Sequence, residues 1–222
     1  MKKIGIIGGL SPESTLYYYE KFVEFSRKMF SPSYYPEVVI YSVNFGEFEK
    51  VDWDKRTRIL VNAATSLAKA GAEIIGIAAN TPHKVFPLVK KSVNVKMISI
   101  IDVVGKEANR RNLRKLLLLG TKITMEEGFY AAELKKFGIE AITPEEDERK
   151  EVDRIIREEL TFRDFKSKNY LVKLIEKYSN AVDGVILGCT EIPLVIKEKD
   201  VSIPVLDSAA LHVRALIEEA RK

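Results

Sequence analysis

Residues 185–193 read VILGCTEIP, and residues 74–82 read IIGIAANTP. Each segment is an apolar run that opens into a short polar turn and then reaches a proline. Such a run is typical of a strand that is covered on both faces of a parallel sheet. Proline is favoured at the first position of a helix. The two segments therefore predict that the chain contains the same strand–turn–helix unit twice.

The rest of the chain continues this alternation. Apolar runs predict strands at residues 3–7, 38–43, 74–78, 96–100, 115–119, 138–142, 184–187 and 204–206. Amphipathic stretches predict helices at residues 12–29, 54–70, 82–92, 103–111, 124–137, 144–160, 167–178 and 208–221. Strands that alternate with helices indicate parallel sheets with right-handed crossovers. The fold class predicted is α/β, with two pseudo-symmetric domains, each a mostly parallel sheet flanked by helices, and an active site in the cleft between them.

The domain boundaries follow from the repeat. We predict an N-terminal α/β domain formed by residues 1–100 plus 207–222 and a C-terminal α/β domain formed by residues 101–206. A chain of 222 residues is long enough for two small domains, and the last helix is expected to return to the first of them.

The composition excludes several classes of protein. Hydrophobic residues make up 46% of the chain and charged residues 31%, which is typical of a globular protein. The net charge of +4 comes from 36 basic and 32 acidic residues that are interspersed, so nucleic acid is not an expected partner. No apolar stretch approaches the roughly 20 residues of a membrane span, and no signal peptide is recognised, so we expect a cytoplasmic protein without a membrane partner.

Cysteine and histidine are rare. One cysteine excludes an internal disulfide framework and a cysteine-built zinc site, and two histidines are too few for a typical histidine-rich metal site. We therefore predict no metal. Glutamine is absent while lysine, arginine and glutamate are abundant, a pattern that favours a protein from a hot environment.

The glycine-rich start, GIIGGLSPES at residues 5–14, lacks the glycine spacing of a dinucleotide-binding fingerprint. A tight turn from a strand into a helix explains its glycines, and such turns are where open α/β sheets bind ligands. Ser11 or Ser14 is expected to cap the following helix, whose free N–H groups would suit a carboxylate.

Three segments together resemble the aspartate/glutamate racemase family. They are Gly8-Gly-Leu-Ser-Pro-Glu-Ser-Thr15, Asn80-Thr-Pro-His83 and Gly188-Cys-Thr-Glu-Ile192. The segments Tyr41-Ser-Val-Asn-Phe45 and Ile203-Pro-Val-Leu-Asp207 are also similar to the family, the former to a branch that acts on acidic amino acids. The resemblance runs from the first strand to the last helix.

The resemblance implies a cofactor-independent amino-acid racemase that acts on a small molecule, needs neither pyridoxal phosphate nor a metal, and forms a homodimer. It implies that Cys189 is a catalytic acid/base and that Ala79 occupies the position of a second catalytic cysteine. We predict substrate contacts from the matching turns, namely from Leu10, Ser11, Ser42, Asn80, Thr81, Thr121 and Thr190.

The chemistry explains why a thiol is needed. Racemisation removes the weakly acidic α-proton from one face and returns a proton to the other, which requires a base and an acid of matched affinity. A helix that begins near Pro193 is expected to lower the pKa of Cys189. The alternative is that Cys189 is a buried, inert thiol, since free cysteine is among the most buried residue types.

Ala79 leaves three alternatives open, because alanine has no acid or base. The residue is a deliberate replacement of cysteine, or another group such as His83 or water serves that face, or racemisation has been lost and a one-sided reaction retained. His83 follows Ala79 by one helical turn, and a helix N-terminus would keep its imidazole neutral and able to act as a base. Its alternative role is structural, bonded to a backbone carbonyl.

Three functions are consistent with these residues. The first is a racemase of aspartate or glutamate. The second is a single-cysteine decarboxylase or isomerase of a dicarboxylate. The third is a catalytically silent relative that binds a dicarboxylate.

Overall fold

The computed structural model describes residues 1–31 and 33–222 and divides the chain into two compact units. Unit 1 consists of Met1–Ile100 together with His212–Lys222, and unit 2 consists of Ile101–Leu211. Each unit contains one four-stranded parallel sheet with helices around it. The predicted α/β class with two similar halves is confirmed.

The helices and strands of the described residues are, in chain order, β1 (Ile4–Gly8), α1 (Pro12–Met29), β2 (Val38–Ser42), α2 (Phe45–Lys50), α3 (Trp53–Lys69), β3 (Ile74–Ile77), α4 (Phe86–Lys91), β4 (Lys96–Ile98), α5 (Ile100–Arg110), β5 (Lys115–Gly120), α6 (Lys122–Glu126), α7 (Phe129–Lys135), β6 (Glu140–Ile142), α8 (Glu146–Glu158), α9 (Lys168–Tyr178), β7 (Gly184–Gly188), α10 (Ile192–Val195), β8 (Val205–Asp207) and α11 (Ser208–Ala220). Short 3₁₀ helices lie at Thr81–Val85, Leu160–Phe162 and Glu198–Asp200.

In unit 1 the strands lie in the order β2-β1-β3-β4, and all pairs are parallel. The strands β1 and β3 are buried along their whole length, because helices cover both faces of the sheet. The register pairs Gly8 with Ser42 and Ile7 with Ile77, so β1, β2 and β3 end at the same edge. The polar residues that follow these strands are thereby gathered at one edge of the sheet.

Unit 2 repeats this order as β6-β5-β7-β8, again with parallel pairs only. Gly120 at the end of β5 pairs with Gly188 at the end of β7, and Leu187 pairs with Asp207 at the end of β8. Strand β1 therefore corresponds to β5, and β3 corresponds to β7. The two segments that repeat in the sequence are therefore equivalent strands, β3 and β7, of the two sheets.

Glycine is required where β1 turns toward α1. Gly9 has φ +71°, and a Cβ there would lie 2.2 Å from the carbonyl oxygen of Val43. No side chain fits so close to a backbone atom in this left-handed conformation. The turn thus keeps the backbone of Gly9 pressed against the end of β2, with its N–H donating to the hydroxyl of Thr15 at 2.8 Å.

The sequence prediction differs from the structure in three helices. The helix predicted at 124–137 is divided into α6 and α7 at Gly128, which is left-handed with φ +75°. The helix predicted at 82–92 begins as the 3₁₀ turn Thr81–Val85. Helix α2 was not predicted, although Asn44 caps it by accepting from the N–H of Glu47 at 3.2 Å.

Residues 207–211 fall in unit 2, whereas the sequence prediction assigned them to the first domain. The physical reason is strand pairing, because Asp207 ends β8 and pairs with β7. The hydroxyl of Ser208 also donates to the carbonyl of Leu187 at 2.7 Å. Helix α11 belongs to unit 1 only from His212 onward.

None of the helices formed by residues 1–31 and 33–222 combines the length and apolar character that crossing a bilayer requires.

Candidate active site

The first strand end is the turn after β3, which carries Ala79 and Asn80. The N–H of Ala78 continues the sheet by donating to Ile7 at 2.9 Å, and its carbonyl accepts the hydroxyl of Ser14 from α1. Ala79 and Asn80 are both buried. The turn is therefore held from two sides before the chain enters the 3₁₀ helix.

The second strand end of unit 1 is the turn between β1 and α1. Leu10 and Ser11 are buried there, and the hydroxyl of Ser11 accepts from the N–H of Ser14 at 3.2 Å as the N-cap of α1. The backbone of Ser11 has φ +122°, a region that favours glycine. Non-glycine residues in such conformations cost on the order of 1–3 kcal/mol and cluster at ligand-binding turns. The strain makes this turn a candidate ligand-binding turn.

The other predicted contacts of unit 1 flank these turns. Ser42 is exposed at the end of the edge strand β2, beside Gly8. Thr81 is half-buried at the start of the 3₁₀ helix. Leu10, Ser11, Ser42, Asn80 and Thr81 therefore all lie at the carboxyl edge of one sheet.

His83 is fully engaged with the backbone. Its Nδ1–H donates to the carbonyl of Ala79 at 2.9 Å, and its Nε2 accepts from the N–H of Ile100 at 3.1 Å. Its ring stacks on Phe86 with centroids 5.0 Å apart. Burial, with a smaller contribution from His212, lowers the pKa of His83 to about 3. The imidazole is neutral as expected, but both nitrogens are used, which favours the structural role over that of a base.

His212 forms a second neutral imidazole beside the first. It accepts from the hydroxyl of Tyr18 at its Nδ1 and donates from Nε2 to the carbonyl of Ile98, both at 2.9 Å. Burial lowers its pKa to about 4. The ring centroids of His83 and His212 are 6.2 Å apart, edge to face.

In unit 2, the end of β7 carries the only cysteine of the chain. Cys189 is buried, and its thiol donates to Oε2 of Glu191 at 2.8 Å. The hydroxyl of Thr190 donates to the same oxygen at 3.0 Å. Two donors from consecutive residues thus converge on one carboxylate oxygen.

The pKa of Cys189 is raised well above its ordinary value, first by burial and then by the charge and hydrogen bond of Glu191. The expectation that a helix near Pro193 lowers this pKa is wrong. Helix α10 has only four residues, and the nearby carboxylate opposes a thiolate. Arg157 on α8 acts in the opposite direction but is the smallest of the contributions. The resting thiol is therefore protonated.

Thr121 follows β5 as the N-cap of α6. Its hydroxyl accepts from the N–H of Thr124 at 3.4 Å, and the two threonine hydroxyls are 3.1 Å apart. The side chain of Thr121 therefore caps α6. Because Gly120 and Gly188 are paired, Thr121 and Cys189 leave neighbouring strands at the same edge of the unit 2 sheet.

The sequence interpretation missed Glu191, the residue that touches the thiol. The available signal was a carboxylate two positions after a cysteine at a strand end. Residues 1–31 and 33–222 contain no group of three or more His, Cys, Asp or Glu side chains arranged to hold a metal ion.

Residues 7–216 match the family model described as Asp/Glu/Hydantoin racemase. The chain is similar to the crystal structure of an aspartate racemase homologue from Pyrococcus horikoshii OT3, with 55% identity, a TM-score of 0.91 and 100% of both chains covered. It is similar to Picrophilus torridus aspartate racemase, with 26% identity, a TM-score of 0.81, and 100% of this chain and 95% of that chain covered. It is also 26% identical over 226 residues to the broad specificity amino-acid racemase RacX of Bacillus subtilis (strain 168), covering 96% of each.

The buried histidines predict a loss of stability in mild acid. Their pKa values in the folded state, about 3 for His83 and about 4 for His212, lie below the 6.5 of an unfolded histidine. The unfolded state therefore binds more protons as the pH falls from 6.5, and each histidine lowers the unfolding free energy by up to about 1.4 kcal/mol per pH unit. Urea unfolding between pH 4.5 and 7, followed by the fluorescence of the single tryptophan, Trp53 of unit 1, measures this slope.

The matched variants are His83→Gln and His212→Gln, each of which removes one titrating group. Each variant is expected to show a shallower fall in unfolding free energy across this pH window. Slopes equal to that of the parent chain would contradict the assignment of the acid sensitivity to these two imidazoles.

Proposed function

This chain belongs to the Asp/Glu/Hydantoin racemase family and is an enzyme of the isomerase class, and we propose that it racemises an acidic amino acid, aspartate or glutamate, by proton transfer at Cα without a cofactor. The observation that carries the proposal is the thiol of Cys189 at the carboxyl end of β7, hydrogen-bonded to Glu191. A positioned acid/base group at such an edge is what proton exchange at Cα requires.

We propose that Cys189 exchanges the proton on one face of the substrate. Protonation of the carbanion breaks the S–H bond, leaves the electron pair on sulfur, and forms the new C–H bond. In the reverse direction the thiolate takes the α-proton. The negative charge that develops next to Cα needs fixed donors, a role we assign to Thr121 and to the backbone N–H groups of the turns that follow β5 and β7.

Ala79 supplies no proton to the other face. We propose that water carries the proton there, because the ring nitrogens of His83 are already bonded to Ala79 and Ile100. In this proposal His83 shapes the turn around Ala79 and Asn80 and is not itself the base. An enzyme of this kind exchanges the α-proton readily but inverts the centre slowly, because only one face has a dedicated group.

Within unit 1, we propose that Leu10, Ser11, Ser42, Asn80 and Thr81 at the carboxyl edge of the sheet bind substrate groups. Within unit 2, we propose the same role for Thr121 and Thr190. The strained backbone of Ser11 and the buried amide of Asn80 support this assignment. Both turns present backbone N–H groups at a helix start, which suits a carboxylate.

A second candidate is decarboxylation or isomerisation of a dicarboxylate by the single cysteine. The protonated state of Cys189 favours it, because loss of carbon dioxide from a malonate-like diacid leaves a carbanion that one thiol can protonate. No base on the opposite face is needed for that reaction, which agrees with Ala79. A silent relative that only binds dicarboxylates would turn over neither class.

The proposed racemase is expected to exchange the α-proton of aspartate or glutamate in heavy water. Mass spectrometry of each enantiomer measures the deuterium incorporated, and Cys189→Ser is expected to lower the rate by about 10²-fold or more, because general acid–base groups contribute about 10²–10⁴-fold. Thermal melting of the variant checks that it is folded.

The competing functions give different results in the same assay. Release of carbon dioxide or geometric isomerisation of a diacid, without exchange of either amino acid, would replace the racemase proposal by the second candidate. Binding of a dicarboxylate without any turnover would leave only the silent relative.

For the cellular setting we propose the cytoplasm and a hot environment. A thiol that must stay reduced suits a reducing compartment. Ion-pair networks support the second part, for example Arg154, which contacts Glu151 and Glu159 at 2.7 Å and Glu158 at 3.5 Å. Such networks are favoured at high temperature, as is the absence of glutamine from the chain.

We also propose that the protein is a homodimer. Strand β2 is an edge of its sheet, and it exposes Ile40 and Tyr41, while α1 exposes Leu16 and Tyr19. We call these four residues the β2–α1 patch. An apolar sheet edge left in solvent invites pairing with another chain, and a two-fold axis satisfies both copies at once.

The molecular mass of the protein in solution tests whether the β2–α1 patch is the dimer interface. Light scattering after size exclusion is expected to give the mass of two chains, and Leu16→Lys with Tyr19→Lys is expected to give that of one, because charges would be buried in the interface. The matched control is Leu88→Lys on α4, since Leu88 is 55% exposed and Leu16 57%. A monomeric parent, or a double variant that stays dimeric, would exclude this patch as the dimer interface.

A further inference from the structure

Two donors meet at one oxygen beside the proposed catalytic thiol. The Sγ of Cys189 and the Oγ1 of Thr190 lie 2.8 Å and 3.0 Å from Oε2 of Glu191. All three side chains are buried, with no more than 8% of any residue exposed. We refer to Cys189 and Glu191 as the thiol–carboxylate pair.

Burial makes this arrangement costly unless it is satisfied by hydrogen bonds. An ionised carboxylate removed from water costs free energy that hydrogen bonds must offset. The thiol of Cys189 and the hydroxyl of Thr190 both supply such bonds, and bonds to an ionised acceptor are stronger than those between neutral groups. The carboxylate therefore fixes the direction in which the S–H bond points.

A turn of the backbone after β7 brings the two residues of the thiol–carboxylate pair together. Cys189 directly follows Gly188, the last residue of β7, and Glu191 immediately precedes α10. The N–H of Ile192 donates to the carbonyl of Cys189 at 3.3 Å, which closes the turn over the intervening residues. The apolar cluster that contains Cys189, Leu187, Ile192 and Val195 holds the turn from below. The pair is thus built by a turn whose two ends are anchored.

We propose that Glu191 is the positioning residue of Cys189, because its carboxylate accepts the S–H hydrogen bond and holds the sulfur in place at the end of β7 until the proton moves to the reacting carbon. This inference rests on the proposed function for the role of Cys189 as proton donor. The sequence interpretation assigned no role to Glu191.

The proton balance of the step is simple. The proton leaves Sγ for the carbanion at Cα, the S–H electron pair stays on sulfur, and the C–H bond forms. The product is a thiolate next to the carboxylate of Glu191, and the two negative charges repel each other at short distance. Repulsion makes the thiolate a strong base, so it recovers a proton rapidly before the next turnover.

The charged groups that act on the thiol are Glu191 and Arg157. Glu191 raises the pKa of Cys189 while Arg157 lowers it, and the balance with burial leaves the pKa well above its ordinary value. Arg157 is itself paired with Asp153, at 3.0 Å between Nε and Oδ2. Removing the charge of Glu191 should therefore lower the pKa of Cys189 and increase the fraction of thiolate.

The test uses the fact that Cys189 is the only cysteine of the chain, so alkylation by iodoacetamide reports on one thiol. The rate of alkylation rises with pH, and its midpoint reports the pKa of the thiol. We expect Glu191→Gln to lower this midpoint by about one pH unit, which makes the thiolate fraction roughly tenfold larger at a fixed pH below the midpoint. We also expect kcat to fall about tenfold with little change in KM, and Glu191→Asp to recover part of both effects.

The matched control is Glu198→Gln, which removes the same charge from an exposed carboxylate beyond α10. It should leave the alkylation midpoint and kcat unchanged. An alkylation midpoint in Glu191→Gln equal to that of the parent would overturn the proposal, as would an equal shift in the control.

The parent chain provides a measurement that does not depend on the folding of any variant. Its alkylation midpoint is expected above about 8.5, the pKa of a free cysteine, and a midpoint at or below that value would overturn the proposal. Alkylation needs no substrate, so its failure is distinct from that of the racemase assay. A high alkylation midpoint without exchange of aspartate or glutamate would support the thiol–carboxylate pair but contradict the proposed substrates.

Discussion

The parallel pairing of β5 with β7 is the interaction on which the site in unit 2 depends. The register sets Gly120 beside Gly188, so the chain leaves both strands at the same edge. A Cβ at Gly188 would lie 2.8 Å from the carbonyl of Leu119, and one at Gly120 would lie 2.8 Å from the carbonyl of Gly188. Glycine at both strand ends is therefore what allows Thr121 and Cys189 to emerge next to each other. The same rule operates in unit 1, where Gly9 keeps the turn after β1 close to the end of β2.

The chemistry at this edge is governed by the competition between burial and charge. A buried thiol beside a carboxylate is a proton donor, whereas the base that removes an α-proton must first be deprotonated. Cys189 therefore rests as an acid and must lose its proton before it can take one from Cα. Ala79 contributes no titrating group, and both ring nitrogens of His83 are hydrogen-bonded to backbone groups. In our proposal the chain thus holds one dedicated half of a two-sided proton transfer.

Much of the fold could be predicted because the signals are local. Apolar runs bounded by polar turns predicted each of the strands within two residues of its ends, and the repeated strand–turn–helix unit predicted the two similar sheets. Short elements were less accessible, since α2 and the left-handed Gly128 depend on single residues. The thiol at the end of β7 was also predictable. Its partner was not, because hydrophobic periodicity does not show that Glu191 turns back toward Cys189. The hydrogen bond from Ile100 to His83 joins residues 17 positions apart, which local patterns do not show.

The most direct measurement is the rate of racemisation of aspartate and glutamate by the parent chain and by Ala79→Cys, followed by chiral chromatography from each enantiomer. A second thiol would supply the missing acid/base group, so racemisation is expected to rise by about 10²-fold or more in both directions. The gain should disappear when Cys189→Ser is added. An Ala79→Cys variant that is folded but racemises no faster than the parent would contradict the claim that this chain lacks only one half of the proton transfer.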